Sequence, residues 1–128
     1  MQELSIRRRL AVLIFAEAAE TLVRDIAVQR QVAVVFTRPA TNRTVQVKGR
    51  DAEVLRATAA DVAAVRRHLA LFSAELAPFG WEPAYVESVF WGDPAQLMVV
   101  RFTLAGVYGQ TPGPGAGQAI DISMPCKR

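Results

Sequence analysis

Cysteine is nearly absent from these 128 residues: Cys126 stands alone, three positions from the end. No intrachain disulfide can form, which fits a reducing compartment and a cytoplasmic protein. Histidine is as scarce. His68 has no second His or Cys at metal-ligand spacing, so it reads as a solvated or partly packed helix residue. No apolar run is long enough to cross a membrane as a helix. Fifteen Lys and Arg against twelve Asp and Glu leave only +3, with clusters just at Arg7-Arg8-Arg9 and Arg66-Arg67. Nucleic-acid binders gather their cations on one face among aromatics, so that partner is not expected. No Ser has a G-x-S-x-G setting, and Gly113, Gly115 and Gly117 lack the Lys-Ser/Thr of a phosphate loop. With Cys126 far from any histidine, no catalytic nucleophile, acid or base can be named.

What is present is half hydrophobic and about a fifth charged, an ordinary globular composition for one domain with one core. Residues 10–15 are a continuous apolar run, read as a strand covered on both faces. Arg7-Arg8-Arg9 before that run, and Ala16-Glu17-Ala18 after it, also have the outline of a secretory signal. The run is short for one, and a helical period follows at once, so the strand is preferred. In residues 17–30, Ala18, Leu22, Val23 and Ile26 share a helical face. Residues 32–36 form a second apolar, β-branched run, residues 38–42 a turn, and residues 43–47 an alternating hairpin partner. Gly49 marks a bulge or bend, with residues 52–55 carrying the strand on.

Thr58 is an N-cap with Asp61 three residues later. Val62, Val65, Leu69, Phe72 and Leu76 then recur every three or four residues, a stripe expected to be buried against the sheet. Residues 83–90 read as a short helix and 96–103 as the last strand. Residues 1–110 thus form the domain, and 111–128 a Gly/Pro-rich loop or tail. The order predicts an α+β fold, a mostly antiparallel sheet with flanking helices.

Val32-Ala33-Val34-Val35-Phe36-Thr37-Arg38-Pro39, a turn, then Arg43-Thr44-Val45-Gln46-Val47-Lys48-Gly49 and Asp51-Ala52-Glu53-Val54 carry a resemblance. The stretch resembles the middle of the FMN-binding split-barrel proteins of the pyridoxamine 5'-phosphate oxidase type. The strand-helix unit of residues 10–30 and the strand around Val99-Val100-Arg101-Phe102 fall where that family has them, so the resemblance spans most of residues 8–110. It implies a partial split β-barrel, a homodimer with FMN between subunits, and an oxidoreductase acting on a small molecule. The flavin would carry the redox chemistry.

The family's strand pair ahead of this unit has no counterpart in residues 1–9. Four or five strands are too few to close a barrel, and the open edge also argues for a dimer. The family's phosphate-holding helix start falls here near Glu20, Thr21 and Leu22, where Glu20 repels an anion. Arg43, Lys48 or a partner chain would then serve instead. The resemblance places Thr44 near the flavin, and alternation sets Thr44, Gln46 and Lys48 on one strand side. That side is either a cofactor face or a plain solvated one. Trp81 and Trp91, in a cluster with Phe79, Tyr85 and Phe90, are candidates for a ring-lined pocket or for a core corner. The cofactor-binding candidates are therefore Arg43, Thr44, Gln46, Lys48, Trp81 and Trp91. The alternative is a degenerate split barrel without flavin, serving as a small-ligand-binding or interaction module.

Overall fold

A computed structural model describes residues 8–121; Cys126, Arg7 and the last seven residues lie outside the described part. The elements run β1 (Arg9–Phe15), α1 (Glu20–Gln29), β2 (Val32–Thr37), β3 (Thr44–Arg56), α2 (Ala59–Leu76), α3 (Pro83–Phe90), β4 (Leu97–Gly109) and β5 (Ala119–Ile120). The fold is α+β: one curled antiparallel sheet forms a half-barrel, with three helices. The strand order is β1-β4-β3-β2, and β5 joins β4 on the same edge as β1. No described helix is long and apolar enough to cross a membrane.

The hairpin forms where its turn chemistry sits. Asn42 takes a left-handed φ of 57°, which Asn tolerates better than most residues, and Arg38 N donates to Arg43 O at 2.9 Å. Register then follows: Val34 faces Val47 and Phe36 faces Val45. At Gly49 the register with β4 shifts, as it does again between Arg50 and Glu53, where Asp51 has φ 52°. These bulges curl the sheet. Gly49 is required there by close approach: a Cβ would fall 2.1 Å from Cδ2 of Phe102, which is fully buried. Phe102, Val47, Val100, Ala52 and Ile26 of α1 form the inner core. α1 ends on Arg30 in a left-handed cap, and the Arg30 carbonyl accepts from Ala52 N at 3.0 Å, tying the helix to the bulge.

Three expectations need correction. Residues 10–15 do form a strand, but an edge strand, half-exposed at best, and not one covered on both faces. Its apolar content serves one packed side and an open flank. The α2 stripe is only half-buried, with none of Val62, Val65, Leu69, Phe72 and Leu76 fully covered. The helix itself is well started, by a reciprocal capping box in which Thr58 N donates to Asp61 at 2.7 Å and Asp61 N to Thr58 Oγ1 at 3.2 Å. Periodicity located its apolar side, but clefts separate much of that side from the sheet. Finally, the strand read at residues 96–103 runs on to Gly109 and is not the last, while the Gly/Pro-rich stretch that follows takes the loop form of the two expected. Gly109 N donates to Gln118 O at 2.9 Å and Gly117 N to Gly109 O at 2.6 Å, which delivers β5 onto β4.

Candidate functional site

Alternation divides the hairpin strands into two surfaces. Val45, Val47 and Gly49 face the core. Thr44, Gln46, Lys48 and Arg50 share the outer face, as the sequence pattern implied for the first three. Cross-strand pairing extends that face: Ala33, Lys48 and Gly106 lie in one row, and Val35, Gln46 and Tyr108 in the next. Lys48 Nζ rests 5.0 Å from the centroid of the Tyr108 ring. Lys48 has no acidic partner among the described residues, and Arg50 only reaches its neighbour Asp51 at 4.0 Å. Both cations line a depression of about 430 Å³ together with the small residues Ala33, Gly49 and Ala105. Two long cations beside small residues can hold an anion while its attached body lies close to the backbone.

The other candidates fall elsewhere. The Thr44 hydroxyl is engaged in the turn, at 3.0 Å from Asn42 O and 3.1 Å from Thr37 Oγ1. Arg43 alternates away from Thr44 and lines a separate cleft with Phe36, Val45, Leu71 and Phe72. Trp81 lies tilted against Tyr85, with ring centroids 5.2 Å apart, and both are exposed. Trp91 meets Phe15 edge-on at 5.5 Å, and the Arg66 guanidinium lies 4.0 Å above its ring. Phe15 pairs with Leu97, at the opposite end of β4 from Tyr108, so Trp91 and the outer face are not one site. His68 is exposed and stacks on Phe72.

Sequence reasoning missed Arg50 and Tyr108. Arg50 was legible, since it continues the alternation of Thr44, Gln46 and Lys48. Tyr108 was not, because its place beside Gln46 depends on pairing across sixty residues with a bulge between.

Among the described residues no group of three His, Cys, Asp or Glu side chains could hold a metal ion. No protein-family model matches the chain, and no curated protein does. Among solved structures it is similar to a pyridoxamine 5'-phosphate oxidase-related, FMN binding protein from Nostoc punctiforme, at 14% identity and a TM-score of 0.40, over 92% of this chain and 74% of that one. A likeness of that size assigns the chain to no family.

Proposed function

We propose that this protein binds FMN on the outer face of β2, β3 and β4 and works as a homodimeric oxidoreductase of the pyridoxamine 5'-phosphate oxidase type. One observation carries the reading: Lys48 and Arg50, neither closely paired with an acid, line a depression of about 430 Å³, and Lys48 also lies over the Tyr108 ring. A phosphate bearing nearly two negative charges fits two such cations. Gln46, paired across the strands with Tyr108, adds an amide to the same face, able to donate to or accept from a polar heterocycle. A bound flavin would supply the electron-transfer chemistry, while these side chains hold and orient it. The face is open, so a second copy set against it would exclude water from the ring. The lone cysteine keeps a cytoplasmic setting part of this reading.

The absorbance spectrum of the purified protein tests it. A yellow preparation that releases FMN on denaturation is expected, with Lys48→Ala and Arg50→Ala each weakening FMN binding by about tenfold or more. A colourless protein that takes up no added FMN overturns the reading and leaves a flavin-free ligand-binding or interaction module. Sedimentation tests the dimer, against a monomer of 14.0 kDa.

A further inference from the structure

The half-barrel has an open side, and α2 stands along it. The helix faces the end of β1 across one cleft of about 530 Å³, bordered by Leu13, Phe15, Val65 and Phe90. It faces the β2–β3 hairpin across another of about 730 Å³, bordered by Phe36, Val45 and Leu71. His68 and Phe72 border both, so the two clefts adjoin at these side chains along one face of α2. Ile14 lines the first cleft and also a further cavity of about 290 Å³ between β1, α1 and β2, walled mainly by apolar side chains. Each volume is of the order of ordinary small-molecule sites, roughly 300–1,000 Å³, and the walls are mainly apolar, as such sites require.

The charges on this groove are few and can be assigned. Arg38 Nε donates to Glu75 at 2.7 Å, which neutralises both and ties α2 to the hairpin. The Glu17 carboxylate accepts from Asp93 N at 2.8 Å. Of the two arginines that line the groove, Arg43 has no acidic partner among the described residues, and it sits at the hairpin end. An unpaired guanidinium at the hairpin end, with the Glu17 carboxylate at the other end, matches a ligand whose single negative charge lies at Arg43 and whose apolar body runs along the groove. A phosphate would call for more donors than this rim offers.

The geometry points to the groove under α2 as a binding site for a long-chain carboxylate, its acid group on Arg43 and its tail running past Phe72 toward Phe15. This site is separate from the outer strand face and does not rest on flavin binding. It also accounts for the half-covered stripe on α2, whose apolar side chains a tail would shield from water.

Trp91 lines the first cleft, whereas Trp81 lies outside both, so a Trp81→Phe chain reports on the groove alone. Titrating that chain with cis-parinaric acid, a fluorescent long-chain carboxylate, should quench Trp91 saturably at one ligand per chain. Arg43→Gln should weaken binding by about tenfold or more. The corresponding polyene alcohol should bind the parent weakly and show no dependence on Arg43. Leu71→Glu, at a position 70% exposed and so harmless to folding, should abolish uptake. Non-saturable quenching, equal affinity for acid and alcohol, or an unaffected Arg43→Gln protein would overturn the proposal. So would displacement of the probe by FMN, which would make the groove the flavin site. A dimer in sedimentation that takes up no probe would overturn it as well, giving the groove to a second copy.

Discussion

The pairing of β3 with β4 and the seating of α2 both draw on runs of apolar residues, yet they are packed very differently. Where the two thirteen-residue strands cross their bulges, Phe102 is fully buried, Ala52 is 1% exposed, and Gly49 leaves no room for a methyl group. Along α2, five apolar residues at helical spacing each keep part of their surface open, and Leu71 beside them is 70% exposed. In the sheet, hydrogen-bonded register brings side chains together whether or not anything else covers them. A helix satisfies its own backbone and depends on a partner surface only for its stripe. The first region is therefore the stabilising core, and the second has surface left over for binding.

Phe102→Ala should have the largest effect, about 3–5 kcal/mol of stability, because it empties the one fully buried ring of the inner core. Gly49→Ala should follow at about 1–3 kcal/mol, since the added carbon meets the Phe102 ring and the ring or strand must shift. Both are read in urea melts. Phe72→Ala should cost less, about 1–2 kcal/mol, because a half-buried ring that borders two clefts returns only part of its surface to water. A loss for Phe72 equal to that for Phe102 would break the comparison, and would mean the stripe is covered in solution. Thr58→Ala should cost about 1 kcal/mol through the capping box. Arg38→Ala should change stability by less than about 1 kcal/mol, as an exposed ion pair does. A larger effect would sharpen the role of Arg38–Glu75 in holding α2 to the hairpin.

Much of the chain could be read locally. The Thr58–Asp61 cap, the turn at residues 38–42, the bulge at Gly49 and the helix before β4 all stand where their residues placed them. Each is decided within a few residues, by φ preferences, side-chain caps or the absence of a Cβ. Misreadings arose where a partner distant in sequence decides. The apolar run of β1 looks the same at an edge as in a sheet centre. For the Gly/Pro-rich stretch the sequence left loop and tail both open, and only the hydrogen bonds to Gly109 decide for the loop.

The candidate site divides the same way. By itself the sequence determined that Thr44, Gln46 and Lys48 share a side opposite Val45 and Val47, because an extended strand alternates whatever surrounds it. Tertiary structure alone decided that Tyr108 lies under Lys48 and that α2 leaves a groove ending at Arg43. It also put Trp91 at the far end of β4. Those placements follow from a register set across some sixty residues and from two bulges that bend the sheet. Period-two alternation says which side a residue takes, but not what the curled sheet brings to meet it.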